Sequence, residues 1–161
     1  MSDAKATCRL TDIAIDDVGL PVPTPEIEQE RRVAIFDLLE DNSFVLPEGA
    51  PEGPYRLTLA IREGRLVFDV ADADATPITA YHLSLGPFRQ VVKDYYQICQ
   101  SYYDAVKTLP PAQIETIDMA RRGIHMEGAR VVEERLDGKV AVDTDTARRL
   151  FTLICVLHFG G

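Results

Sequence analysis

The densest set of reactive side chains in this 161-residue sequence is the run Arg121-Arg122-Gly123-Ile124-His125-Met126-Glu127-Gly128. Two guanidiniums, an imidazole and a carboxylate fall within seven positions, and the two glycines permit a positive φ or a close backbone approach. Arg121 or Arg122 could grip an anionic group while His125 exchanges a proton and Glu127 orients it. That chemistry has a geometric condition. On an unbroken helix His125 and Glu127 point about 200° apart, so they pair only if the glycines interrupt it. Otherwise the arginines lie on a solvated helix face and bridge Asp118 at helical spacing. The sequence therefore assigns no catalytic residue outright, and His125 with Glu127 forms the alternative reading.

Four more bases could join an anion site built on Arg121 and Arg122. Arg148 and Arg149 follow Asp143-Thr144-Asp145-Thr146 in the first turns of a final helix, where cations oppose the helix dipole unless an acid or a bound anion offsets them. Asp145 stands four residues before Arg149 and can be that acid. Arg89 and Lys93 complete the set. Tyr95, Tyr96, Tyr102 and Tyr103 form two adjacent pairs seven residues apart, and in each pair one ring faces the core while its neighbour turns about 100° away. Tyr96 and Tyr103 thereby share a second stripe and are the interface candidates, because amphipathic rings suit protein contacts.

Other templates fail. His82, His125 and His158 have no metal-like spacing, and no H-E-x-x-H occurs. His125-x-Glu127 matches the first half of the zinc-deaminase signature, but P-C-x-x-C is missing. No metal and no cofactor are expected. His82 on a strand and His158 at the end of an apolar helix read as structural. G-x-S-x-G, G-x-x-x-x-G-K-[ST] and G-x-G-x-x-G are all absent. Cys8 has Arg9 beside it, whereas Cys99 and Cys155 read as buried.

Periodicity supplies the elements that must hold these residues. Arg9 to Ile15 alternates loosely as a first strand. Pro21, Pro23 and Pro25 break the chain. Thr24 then caps a helix running to Asp41, with Pro25 at its first position, Glu26 and Glu28 in its first turn, and Ile27, Ala34, Ile35, Leu38 and Leu39 buried. Phe44 to Leu46 pairs briefly within a turn-rich connector. Tyr55 to Ile61 and Leu66 to Val70 alternate about Glu63-Gly64 as a hairpin, which Ile78 to Leu83 extends to a meander. Pro87 opens a long helix to Lys107. Pro110 and Pro111 end it and start another, which Gly123 can divide before a stop at Asp137-Gly138. Asp143 or Asp145 caps a last helix, apolar nearly all round from Leu150 to Leu157. The pattern predicts an α+β fold in which a small antiparallel sheet of three to four strands, including a hairpin at 55–71, packs against about five helices. It also predicts a single domain over 1–161 with a flexible N-terminus at 1–8.

Composition limits the function classes. A chain that is 46% hydrophobic and 27% charged buries a core without disulfides or metal. Seventeen Lys and Arg against 26 Asp and Glu give −9, the wrong sign for coating a polyphosphate backbone, so non-specific nucleic-acid binding is not expected. Twelve of the acids and only four of the bases precede Tyr55. The acidity thus belongs to the first third, and a local basic site is compatible with it. Three isolated cysteines indicate neither a disulfide framework nor a zinc ribbon and point to a reducing cytoplasm. The polar start predicts no secretory signal, and Leu150 to Phe159 falls far short of the ~20 apolar residues a membrane span needs.

Several segments are familiar together. Gly53-Pro54-Tyr55-Arg56-Leu57, Leu83-Ser84-Leu85-Gly86-Pro87-Phe88-Arg89 with Lys93-Asp94-Tyr95-Tyr96, Ile117-Asp118-Met119-Ala120-Arg121-Arg122-Gly123-Ile124-His125, and Asp145-Thr146-Ala147-Arg148-Arg149-Leu150-Phe151-Thr152-Leu153 resemble an alphaproteobacterial family known only as an uncharacterised protein family, number zero-two-six-two. The resemblance covers nearly the whole chain in the same order. It implies a bacterial cytoplasmic protein of about this length and brings no activity, substrate or cofactor with it.

Two function classes remain. The first is an intracellular protein, leaning away from an enzyme, that acts through protein contacts as a homo-oligomer, above all a homodimer, or with another protein partner. The alternative binds or hydrolyses a small anionic metabolite, a phosphate or carboxylate, in a pocket where Arg121, Arg122, Arg148 and Arg149 gather around His125 with Arg89 and Lys93 nearby. A contact to RNA or DNA through the same basic surface ranks third.

Overall fold

The structure, a computed structural model, describes residues 7–157. Along the chain run β1 (Leu10–Ile15), α1 (Pro25–Glu40), β2 (Phe44–Val45), β3 (Tyr55–Arg62), β4 (Arg65–Asp72), β5 (Pro77–Ser84), α2 (Gly86–Thr108), α3 (Pro111–Leu136), β6 (Ala141–Val142) and α4 (Thr144–Leu157). The expected α+β class is present, with two corrections. The main sheet is mixed, in the order β1-β3-β4-β5, because β1 pairs with β3 in parallel while the other pairings are antiparallel. A parallel pair needs a crossover, and α1 provides one between β1 and β3. Among the described residues there are also four α-helices of several turns, not about five, since α3 runs through Gly123 unbroken. Of the predicted N-terminal segment, residues 1–6 lie outside the described residues, as does His158. The Cys8 carbonyl accepts the Phe44 N–H at 3.0 Å.

Local chemistry explains the elements. Glu63 and Gly64 both take positive φ, 53° and 73°, the left-handed conformation that a two-residue hairpin turn requires between β3 and β4. Thr24 Oγ1 accepts the Ile27 N–H at 3.2 Å and caps α1, whose first turn holds Pro25, Glu26 and Glu28 as expected. Asp143, rather than Asp145, caps α4 by accepting the Thr146 N–H at 2.8 Å. Asn42 stitches α1 to β1. Its amide donates to the carbonyls of Leu38 and Leu10 at 2.7 and 3.0 Å, and its oxygen accepts the Leu10 N–H at 2.7 Å. The brief pairing expected at Phe44 is with β6, matching Phe44 to Val142 and Val45 to Ala141.

One sheet face is apolar: Ile13 and Ile15 of β1, Leu57 and Leu59 of β3 and Phe68 of β4 are buried in a single contiguous core. The opposite face carries ion pairs, Arg56 with Asp12 at 3.8 Å and Arg62 with Asp16 and Asp69 at 3.7 and 2.5 Å. Helix α4 lies at the centre, in contact with α1, α3 and β3 and buried from Leu150 to Leu157. That position accounts for a helix apolar all round. Gly128 brings α3 close to it. A Cβ at Gly128 would overlap the Phe151 ring, whereas one at Gly123 would meet nothing within 4 Å.

Candidate functional site

Because α3 is continuous, its two faces separate the residues that the sequence places side by side. His125 points inward. Its ring stacks on Tyr95 with centroids 5.2 Å apart and planes 26° apart, and lies 5.9 Å from the Phe151 ring. Nε2 is 3.0 Å from the Arg148 carbonyl oxygen and 2.9 Å from Thr152 Oγ1, whose hydroxyl in turn donates to the same carbonyl at 3.3 Å. A carbonyl only accepts, so Nε2 carries the ring proton. Burial, reinforced by the charges of Arg148 and Arg121 and opposed by the bond to the Arg148 carbonyl, drives the imidazole down to about 4, which leaves it neutral at physiological pH. Glu127 points outward into solvent, where Arg130 binds it through Nε at 3.1 Å. His125 and Glu127 do not meet, for the reason the 200° separation on an unbroken helix gives.

Four of the six bases are engaged by local acceptors and two stand exposed. Arg121 donates to Asp118 from Nε and Nη2 at 3.0 and 2.7 Å and lies 4.8 Å over the Tyr102 ring. Arg122 reaches the other oxygen of Asp118 at 3.4 Å. Arg148 pairs with Asp145 at 3.1 Å, and Arg149 donates to the Asp41 carbonyl at 3.1 Å. Arg89 and Lys93 are exposed on α2 with no ion pair among the described residues. The four paired arginines are therefore held by local acceptors rather than gathered about one cavity.

A polar cluster of different composition sits between α1, α2 and α3. Glu30 Oε1 accepts the hydroxyls of Tyr103 and Tyr95 at 3.2 and 3.4 Å. Burial pushes the Glu30 carboxyl up; the Tyr103 bond, the Arg121 charge and the Tyr95 bond pull against it without winning. Desolvation and the nearby Glu30 carboxylate push the Cys99 thiol up to about 12 and raise the Tyr95 and Tyr103 phenols too. Burial also raises Cys155, and the Tyr96 hydroxyl donates to the Cys155 carbonyl. These thiols and phenols are protonated near neutrality, so they act as hydrogen-bond donors and packing groups, not as nucleophiles. Tyr96 and Tyr103, the expected contact stripe, both turn their hydroxyls inward.

Among the described residues no three His, Cys, Asp or Glu side chains are arranged to hold a metal ion. Shallow grooves among the described residues include two. One of about 390 Å³ lies beside β2 and β6, bordered by Val45, Pro47, Lys139 and Val142. The other, about 340 Å³, runs along α3 and is bordered by Gly123, Met126, Arg130, Glu133 and Thr144. Neither contains His125 or the arginine doublets.

Residues 7–160 match the family model described as Uncharacterised protein family (UPF0262). The chain belongs to this family. The UPF0262 protein of Ruegeria pomeroyi is 70% identical over 157 residues, covering 95% of this chain and 98% of that one. The relative from Roseobacter denitrificans is 72% identical over 157 residues, 95% of this chain and 99% of its own. That from Dinoroseobacter shibae is 72% identical over 155 residues, 94% and 98% respectively. No solved structure matches. The family that the sequence segments resemble is the one found, and no helix among the described residues of this UPF0262 member is long and apolar enough to cross a membrane.

Sequence reasoning passed over Glu30, the centre of the polar cluster. The signal was available. Glu30 lies three residues after Ile27 and four before Ala34, on the face of α1 that those residues bury, where a carboxylate needs partners. Thr152 gives the same signal within the apolar α4. The outward-facing methionines of α3, Met119 and Met126, also went unremarked; they stand seven residues apart on one stripe and are 61% and 46% exposed.

Proposed function

We propose that this UPF0262 protein acts through protein contacts rather than by chemistry of its own, and that its working form, in a reducing cytoplasm, is a homodimer. The reading rests on one contrast. The side chains that could do chemistry, His125 with Thr152, Arg121 and Arg122 with Asp118, and Glu30 with Tyr95 and Tyr103, are matched to internal partners, while large apolar side chains stand bare on helix surfaces. Phe36 is 64% exposed and Met119 61%. Apolar groups left in water on a regular helix face are what a contact surface requires. Unpaired Cys8, Cys99 and Cys155 suit the reducing compartment. An anion pocket around His125 draws less support, since its arginines are divided among Asp118, Asp145 and the Asp41 carbonyl.

Sedimentation equilibrium tests the proposal. The expected result is a species of twice the 17.9 kDa chain mass that dissociates on dilution. A mass equal to one chain at every concentration overturns the homodimer. Stabilisation by inorganic phosphate that disappears in Arg121→Ala would move the balance to the anion reading.

A further inference from the structure

The outer face of α3 has a symmetry that identifies what can cover it. Glu115, Met119, Gly123, Met126 and Arg130 follow one another at spacings of four, four, three and four residues, which keeps all five within a stripe about 80° wide on the exposed side of the helix. The opposite side, with Gly128, Val132 and Leu136, is buried. Along the stripe the order is acid, methionine, glycine, methionine, base. Taking the Arg122–Gly123 peptide as centre, Met119 and Met126 lie equally far from it, and so do Glu115 and Arg130.

From this we infer that α3 packs antiparallel against α3 of a second copy of the chain, about a two-fold axis at the Arg122–Gly123 peptide. The inference rests on the homodimer reading above and says where that dimer forms. In the antiparallel arrangement each Met119 meets the partner's Met126 and each Glu115 meets the partner's Arg130, so one stripe is complementary to itself. A parallel arrangement sets Glu115 against Glu115 and Arg130 against Arg130, and like charges disfavour it. Gly123 fits the crossing point. Beyond its chain neighbours and its own helix's backbone, no atom of the described residues lies within 4 Å of where its Cβ would be, so a second helix can approach closely there. Met126 borders the groove of about 340 Å³ beside α3, which offers space for the partner's Met119.

Of the two charges Glu115 is free and Arg130 is shared. Glu115 has no ion pair among the described residues. Arg130 binds Glu127 and Glu134 of its own helix, the latter at 2.6 Å, but it is exposed, and its fork of five donors can take a further carboxylate. Arg122 would stand near its own copy at the axis; it shares Asp118 with Arg121, so this contact opposes the pairing, and its exposed side chain must turn to solvent there.

Four single substitutions and one double variant probe the arrangement, all at exposed positions and each checked for unchanged circular dichroism. Met119→Lys is expected to weaken self-association at least about tenfold in sedimentation. Glu115→Arg and Arg130→Glu should each weaken it, and the double variant should recover it, because the exchanged charges again face each other. Gly123→Cys should cross-link to a covalent dimer under mild oxidation while the unmodified chain, treated identically, does not. A dimer that survives Met119→Lys undiminished and fails to cross-link through Gly123→Cys overturns the α3 interface but leaves the homodimer standing. An unmodified chain that is monomeric throughout overturns both.

Discussion

A histidine held neutral inside a fold makes stability depend on pH, and His125 is so held. Its ordinary pKa of 6.5 falls to about 4, mainly through burial against Tyr95 and Phe151. Between those values the unfolded chain binds a proton that the folded chain refuses, so stability fully present above 6.5 is lost as pH falls toward 4. The loss is on the order of 3 kcal/mol if the unfolded value is the ordinary one. Urea titrations at about pH 7 and about pH 4.5 should show it, and His125→Gln should flatten the difference. Glu30 works in the opposite sense. Its raised carboxyl pKa means that the stability it contributes is greatest below 4.5 and declines as pH rises through the raised value. Glu30→Gln removes that penalty and keeps an oxygen for the two tyrosine hydroxyls, so its melting temperature at neutral pH should equal or exceed that of the unmodified protein. Glu30→Ala leaves Tyr95 and Tyr103 without their acceptor and should cost about 1–3 kcal/mol. A melting temperature for Glu30→Gln as low as that for Glu30→Ala would show that the charge itself is needed.

At the scale of elements, α3 shows how two glycines in one helix differ. Gly128 faces Phe151 of α4, and Gly123 faces open space. Gly128→Ala should therefore destabilise by about 1–3 kcal/mol through overpacking, with partial recovery in the double variant Gly128→Ala, Phe151→Leu. Gly123→Ala, measured at a dilution where chains are separate, should stabilise by about 1 kcal/mol through helix propensity. Both are read from chemical denaturation midpoints. The same two residues mark the boundary of what the sequence discloses. A glycine's identity lowers helix propensity equally at both positions, so Gly123 suggested a break; what keeps the helix whole is packing by its other face against α2 and α4, which is tertiary. The β3–β4 hairpin was legible because its register and its Glu63-Gly64 turn are local. The parallel partner of β1 was not, because it is decided by the path of α1 across some forty residues. The site divides along the same line. Arg121 and Arg122 bridging Asp118 is a within-helix pattern and could be read off the spacing, whereas the Glu30 cluster joins three helices and is visible in sequence only as a carboxylate on an apolar face.

For the whole molecule, the net charge of −9 acts on assembly more than on the fold. Three of the twelve acids in the first third are met locally, by Arg31 on Asp17 at 3.0 Å and by Arg56 and Arg62 of the sheet on Asp12 and Asp16. The monopole remains. Two bodies of charge −9 whose centres lie about 40 Å apart, the spacing expected for touching chains of this length, repel by about 8 kcal/mol in unscreened water. At 0.01 M salt, with a Debye length of about 30 Å, about 2 kcal/mol of that survives, and at 0.15 M, with a length of about 8 Å, almost none does. Salt also weakens the two exposed Glu115–Arg130 contacts of the antiparallel α3 pair, but exposed ion pairs contribute only about 0.2–1 kcal/mol each and act at short range. The apolar contact of Met119 with Met126 is insensitive to salt over this range. Long-range repulsion therefore governs the balance, and self-association should tighten by about tenfold between 0.01 and 0.15 M salt, which sedimentation across that series measures directly. If association instead weakens steadily with salt, attractive ion pairs rather than apolar side chains hold the copies together, and the methionines are not the centre of the contact.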